Sequence, residues 1–192
     1  MALVYIYIEL GGRSWKYKRG WIDIEKHVLS QKGSDVEKLV QDMLLVSDPC
    51  VSKWTGIVCE FGNVISIALD QNNLVGEIPW AVIPTLHHLV TLDFSLNKIK
   101  GEVGKEIGEL KDLKFLELKH NLFQGNIPDE IGNCAKLEWL GLSSNEFTGQ
   151  VPESLSRIPA LKFVFLDHNR LNVRNSLVLK KLSSVRLNTM FN

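Results

Sequence analysis

Leu137-Glu138-Trp139-Leu140-Gly141-Leu142-Ser143-Ser144-Asn145-Glu146-Phe147 decides the fold, because its spacing, L-x-x-L-x-L-x-x-N-x-L, occurs in register in four other places. The other units run Val64-x-x-Ile67-x-Leu69-x-x-Asn72-x-Leu74, Leu89-x-x-Leu92-x-Phe94-x-x-Asn97-x-Ile99, Leu113-x-x-Leu116-x-Leu118-x-x-Asn121-x-Phe123 and Leu161-x-x-Val164-x-Leu166-x-x-Asn169-x-Leu171. Their asparagines are spaced 25, 24, 24 and 24 residues apart. A unit this short cannot bury its apolar side alone, so neighbours must stack into a solenoid. Inside each unit the L-x-L step has the period of a strand. Residues such as Leu140 and Leu142 therefore face inward, and those between them stand on the open face. The asparagine sits where the chain leaves the strand, and its amide can satisfy backbone groups of the turn and of the neighbouring coil. Asn72, Asn97, Asn121, Asn145 and Asn169 are accordingly read as structural.

Three of these units continue into a Gly-x-hydrophobic-Pro step: Gly76-Glu77-Ile78-Pro79, Gly125-Asn126-Ile127-Pro128 and Gly149-Gln150-Val151-Pro152. Gly101-Glu102-Val103-Gly104 keeps the glycine and loses the proline, and the fifth unit has Val173 in the glycine position. With these steps the chain resembles the plant-type class of leucine-rich repeat proteins. The resemblance implies an α/β fold: a right-handed solenoid with a parallel concave sheet. Repeat one is a residue longer than the rest, and the extra length falls in Trp80 to Leu86, on the convex return, where a loop can absorb it.

Ahead of the repeats, Asp48-Pro49-Cys50 through Trp54-Thr55-Gly56-Ile57-Val58-Cys59 is similar to the cap that precedes plant-type repeats. That resemblance implies a Cys50 to Cys59 disulfide and an oxidising compartment. Ala2-Leu3-Val4, Gly11-Gly12-Arg13-Ser14-Trp15 and Trp21 are similar to the cap of protist and bacterial repeat proteins. Leu3, Ile6, Tyr7 and Leu10 fall at i, i+3, i+4 and i+7, which predicts a helix. Val4, Ile6 and Ile8 also alternate as a strand would, and the helix is the preferred reading. The organisation is then a helical N-terminal cap at 1–63, five repeats at 64–176, and an incomplete sixth repeat or C-terminal cap at 177–192. The cap carries an insertion at about 22–47, where the capping box Ser34-Asp35-Val36-Glu37 and the apolar face Val36, Leu39, Val40, Met43 and Leu44 predict a helix.

Continuing the 24-residue period from Asn169 puts a sixth ladder position at 193 and makes Asn188 and Met190 the inward pair. The end of the array is therefore expected to be covered by further repeats or by a partner chain, since an open terminal strand exposes unpaired backbone groups.

Composition narrows the function. Lys+Arg and Asp+Glu are equal at 22 each, giving no support for a nucleic-acid or anionic-membrane partner. The longest apolar run, Ala2 to Ile8, is far too short to span a bilayer and lacks the flanks of a signal peptide. No N-x-[ST] glycosylation site occurs. Extracellular space or a secretory or organellar lumen is favoured by the cysteine pair, and an intracellular location stays open. Cys134 occupies a convex position and is read as a buried core thiol.

No nucleophile elbow, phosphate loop or zinc motif is present, and no cofactor is implied. His120, Ser144 and His168 share one column beside Glu117 and Asp167. Strands about 4.8 Å apart leave the two histidine backbones roughly 10 Å apart with no third ligand, so neither a metal site nor catalysis is expected.

The outward columns are more informative. The first runs Ser66, Thr91, Phe115, Trp139, Phe163; the second Ala68, Asp93, Glu117, Gly141, Phe165; the third Asp70, Ser95, Lys119, Ser143, Asp167. Phe115, Trp139, Phe163 and Phe165, with Glu117, Lys119 and Asp167 around them and a gap at Gly141, form a candidate ligand-binding face. The reading is a non-catalytic module that binds a protein or peptide there, as receptor and defence-type repeat domains do. The alternative is an accessory subunit, docked against neighbouring subunits of an assembly through its cap insertion and open C-terminal end.

Overall fold

The computed structural model describes residues 2–21, 48–172, 177–182 and 186–188. Helix α1, Ala2–Glu9, opens the chain, as the i, i+3, i+4 spacing predicted. It buries Leu3, Val4, Ile6, Tyr7 and the following Leu10. The strand alternative fails because the backbone over Ala2–Glu9 is helical, which brings the buried Leu3, Ile6, Tyr7 and Leu10 to one face. Tyr7, Trp15, Trp21 and Trp54 pack as one aromatic cluster, with neighbouring ring centroids 4.8 to 6.0 Å apart. Two of the indoles also donate to backbone carbonyls: Trp15 Nε1 to Leu10 and Trp21 Nε1 to Thr55. The Cys50 to Cys59 disulfide is formed, with its Cα atoms 5.5 Å apart. The helix expected within the insertion at 22–47 lies outside the described residues.

Among the described residues ten strands follow in two sheets. The larger is ordered β1 (Ile57–Glu60), β2 (Asn63–Ala68), β4 (Thr91–Asp93), β6 (Phe115–Glu117), β8 (Trp139–Gly141), β9 (Phe163–Phe165) and β10 (Arg186–Asn188). Among the described strands only the β1–β2 pair is antiparallel; the rest is the parallel concave sheet of a right-handed solenoid. The smaller parallel sheet is β3 (Val75–Glu77), β5 (Lys98–Gly101) and β7 (Leu122–Phe123). The convex returns are 3-10 turns at Trp80–Thr85, Lys105–Glu109, Asp129–Asn133 and Glu153–Arg157. The first is one residue longer than the others, where the sequence placed the extra residue.

Ile67, Leu92, Leu116, Leu140 and Val164 stack inward without solvent exposure. Burying each contributes roughly 1.5–3 kcal/mol relative to exposure.

The asparagine ladder joins coil to coil. Asn145 Nδ2 donates to Leu118 O of the preceding repeat at 3.0 Å and to Leu142 O of its own at 3.1 Å, while its Oδ1 accepts the Phe123 N–H at 3.0 Å. Asn97, Asn121 and Asn169 repeat the scheme. Asn72 has no repeat before it, and its amide instead exchanges two hydrogen bonds with the backbone of Tyr17. The cap thus supplies the missing coil, one turn of backbone standing in for a repeat.

Cys134 is fully buried on the convex side, where its Sγ donates to Ile107 O at 3.2 Å. Burial pushes its thiol up to about 11.

Gly104, which breaks the Gly-x-hydrophobic-Pro rule, has a packing cause. A Cβ there would meet Trp80 Cβ at 2.5 Å, because the Trp80 indole folds onto this return and donates to Glu102 O at 2.8 Å. Backbone conformation is not the reason. With φ −69 and ψ 148 the position would suit a proline.

The last turn of the solenoid differs from the extrapolated period. Helix α2, Leu177–Lys181, packs against the Glu153–Arg157 return, with Val178 and Leu182 buried. Strand β10 then pairs Arg186 with Phe163, Leu187 with Val164 and Asn188 with Phe165, an offset of 23 residues. Leu187, and not Asn188, therefore holds the register position of the inward Val164. The spacing through α2 is one residue shorter than the 24-residue period, which shifts the register of β10 by one.

Candidate protein-binding face

Register places the predicted columns side by side. Phe115, Trp139 and Phe163 are consecutive partners across β6, β8 and β9, and Glu117, Gly141 and Phe165 are the next row. The Trp139 ring lies 5.1 Å from that of Phe163 and 4.7 Å from that of Phe165, tilted about 40° to each. Edge-tilted packing of this kind suits aromatic quadrupoles and adds to the area the rings bury. Phe115 stands next to this cluster and is 42% exposed, the most open of the four rings. The antiparallel hairpin lengthens the row, because Val58 pairs with Ser66 and so joins the first column with 53% exposure. Column reading missed Val58, since it started at the first repeat.

The gap expected at Gly141 is filled. Glu117 leans across from β6 so that its carboxylate occupies the space a Cβ at 141 would take: Oε1 is 2.0 Å from that position and Oε2 2.6 Å. Oε2 accepts the Trp139 Nε1–H at 2.7 Å and lies 3.6 Å from Lys119 Nζ. Oε1 is buried and takes no hydrogen bond. Glu117 is thus 91% buried rather than displayed, and it acts on the face by holding the Trp139 indole in place. A glycine one strand away from a glutamate in the same column was the available sequence signal.

Asp167 is likewise buried. It accepts from the Ser143 hydroxyl and from the ring of His168, whose Nδ1 lies 2.8 Å from Oδ2. Burial alone would raise its pKa; the Ser143 and His168 hydrogen bonds outweigh burial and hold it below the usual carboxylate value. Of the seven residues singled out from the sequence, four rings and Lys119 face solvent to some degree, while Glu117 and Asp167 are supports beneath them. His120, Ser144 and His168 share a left-handed backbone position with φ 53, 56 and 54. They sit at the ladder turn and do not converge. Among the described residues no three His, Cys, Asp or Glu side chains are grouped to hold a metal ion.

Stacked coils with a parallel concave sheet, 3-10 returns and an asparagine ladder define a leucine-rich repeat solenoid. Comparison with known proteins agrees: the Leucine Rich Repeat family matches residues 112–134 and 136–158. The chain belongs to the leucine-rich repeat proteins of the plant type. It is similar to the LRR receptor-like serine/threonine-protein kinase GHR1 of Arabidopsis thaliana, 37% identical over 67 residues, 35% of this chain and 6% of that protein. It also superposes on a chain of the BIR3–SERK2 complex from Arabidopsis thaliana with TM-score 0.65 and 30% identity, covering 77% of this chain and 78% of that one. The ectodomain of the Arabidopsis receptor kinase HAESA, solved with an extended IDA peptide hormone ligand, is matched with TM-score 0.62 and 26% identity, over 75% of this chain and 28% of that one. The aligned stretches span between 5% and 12% of the length of the curated relatives.

Proposed function

We propose that this chain is a non-catalytic, receptor-ectodomain-like module that binds a protein or peptide on its concave face. The observation that carries this reading is the contiguous row of Phe115, Trp139, Phe163 and Phe165 on an open sheet, with Trp139 held in one orientation by Glu117. Large aromatics pre-positioned before binding cost little ordering entropy, which is the usual character of interface hot spots. Lys119 and the polar rim would fix orientation and register. The HAESA ectodomain is a relative solved with a peptide, and BIR3 one solved in complex with SERK2; both agree with a polypeptide ligand here. The Cys50 to Cys59 disulfide supports an extracellular or secretory-lumen setting.

The test is a selection from a random displayed peptide library on the immobilised chain. Phe115→Ala combined with Phe163→Ala should weaken selected binders by tenfold or more, on the order of 2 kcal/mol, while the fold persists. Trp139 is left intact so that Glu117 keeps its partner. Binders indifferent to the double substitution would refute the concave face as the site, and binders mapping to the cap would favour the accessory-subunit reading.

A further inference from the structure

The two most exposed large apolar side chains among the described residues stand together at the outer end of the cap: Phe61 is 95% exposed and Val51 78%. Phe61 and Gly62 are the two-residue connection of the β1–β2 hairpin, whose last pair is Glu60 with Asn63. Both have positive φ, 48 and 77. Hairpin turns of this kind favour Asn-Gly, because a bulky side chain at positive φ is strained. Phe61 therefore costs free energy through its backbone and again through apolar surface left in water, and a ring this exposed gains almost no packing in return. Cys50 Sγ, bonded to Cys59, lies 3.7 Å from Gly62 O, which keeps the Val51 loop beside the hairpin end.

A run of cations continues along the cap from there. Lys53 follows Val51 by two residues, and residues 11–21 hold Arg13, Lys16, Lys18 and Arg19 with no acid. Arg19 O accepts the Thr55 N–H at 2.9 Å, which makes the two stretches adjacent, and Lys18 Nζ donates to Arg13 O at 2.9 Å. In the repeats and the last turn, Lys119, Lys136, Lys162, Arg170 and Lys181 each lie within 4.0 Å of a carboxylate. Among the described residues Arg13, Arg19 and Lys53 have no such partner. Of the acids at this end of the cap, Asp48 accepts the Cys50 and Val51 N–H groups, and Glu60 immediately precedes Phe61.

We infer that this side of the cap is a second protein-binding surface, fitted to a partner with an apolar pocket for Phe61 and Val51 and carboxylates beside it for Lys53, Arg19 and Arg13. It is separate from the concave face, since β2 and β4 lie between β1 and the strand of Phe115, and it does not depend on the concave-face reading. A ring carried on a tight hairpin needs little ordering to enter a pocket, and arginines and aromatic rings are enriched at interfaces. Cations without counter-charge steer an acidic partner to this side. Glu60 beside the ring would be repelled by an anionic lipid surface, which favours a protein as the occupant.

The test is a second displayed-library selection, on the full chain carrying Phe115→Ala and Phe163→Ala, so that the concave row contributes little. The selected peptides should be enriched in aspartate or glutamate at a fixed spacing from an aromatic or aliphatic residue. In the same background Phe61→Asn supplies the residue the turn favours, so the melting temperature should rise while the affinity of these peptides falls roughly tenfold. A ring with a structural role would lower both together. Arg19→Gln combined with Lys53→Gln should also weaken the peptides about tenfold and flatten their salt dependence. Peptides without acidic enrichment, peptides indifferent to Phe61→Asn, or a lowered melting temperature in that variant would overturn the inference. So would flotation with phosphatidylserine and phosphatidylcholine vesicles, or dimerisation of the chain, that Phe61→Asn abolishes, because the surface would then belong to a membrane or to a second copy. On the wild-type chain the cap binders form a class apart from those sensitive to Phe115→Ala with Phe163→Ala, and the concave-face reading falls only if that sensitive class is missing.

Discussion

Alanine at position 141 is a one-carbon change that should disturb the concave face out of proportion to its size. The added Cβ would stand 2.0 Å from Glu117 Oε1, 2.5 Å from Cδ and 2.6 Å from Oε2, so the carboxylate has to leave. Backbone conformation does not oppose the change, since Gly141 is not among the glycines with positive φ. Elsewhere in a strand the replacement of glycine by alanine would be stabilising by roughly 0.5–1 kcal/mol through backbone entropy. Here it breaks the 2.7 Å bond from Trp139 Nε1 to Glu117, and a hydrogen bond to a charged group is worth about 1.5–3 kcal/mol. The net expectation for Gly141→Ala is a loss of about 1–2 kcal/mol, a shift of roughly 0.5–1 M in the urea midpoint. In a Glu117→Ala background the clash and the bond are both gone, and the same substitution should be neutral or stabilising by up to about 1 kcal/mol. The double-mutant cycle therefore predicts a coupling of about 2 kcal/mol between positions 117 and 141. Equal destabilisation by Gly141→Ala in both backgrounds would refute the account of Glu117 as the occupant of the glycine notch.

Gly104→Pro restores the repeat motif at a position with proline-compatible φ, yet it should destabilise by roughly 1–3 kcal/mol by overpacking Trp80, with the loss relieved in Trp80→Gly, which removes the Cβ that the proline would strike; thermal denaturation of the two single variants and the pair checks this. Asp167 has a folded-state pKa below the ordinary value of 3.8, so its stabilisation is present above that value and is lost as pH falls through the lower folded one. The stability gap between wild type and Asp167→Asn, measured in urea, should be full at pH 7 and shrink below about pH 4; a gap that widens on acidification would contradict it. Alkylation under non-reducing conditions should modify no cysteine in the native chain and Cys134 alone after unfolding, because Cys134 is buried with its thiol raised to about 11 and Cys50 and Cys59 are linked. Replacing Cys50 and Cys59 by serine should cost about 3 kcal/mol on the chain-entropy account of a loop with sequence separation 9, read as a lowered melting temperature.

Sequence alone determined whatever depends on periodicity. The five units, the inward stack from Ile67 to Val164, the ladder asparagines and the outward rows ending in Phe163 and Phe165 all follow from a period of two along the strand and about 24 between strands. The cap helix followed from the spacing of Leu3, Ile6, Tyr7 and Leu10, since a helical face is a local property. Tertiary structure decided what depends on the size and reach of neighbours a full coil away. Glu117 and Asp167 sit in outward columns, yet one fills a notch left by a glycine 24 residues later and the other is drawn in by Ser143, 24 residues earlier. Gly104 is explained by the Trp80 side chain from the previous return, which together with the Glu106 carboxylate fills the space a Cβ would take. The register of β10 turned on one residue in the connection through α2, a length that no repeat pattern specifies. Strand period settles which face a side chain leaves from; where a long flexible side chain then comes to rest is set by the space and hydrogen-bond partners that the adjacent coils provide.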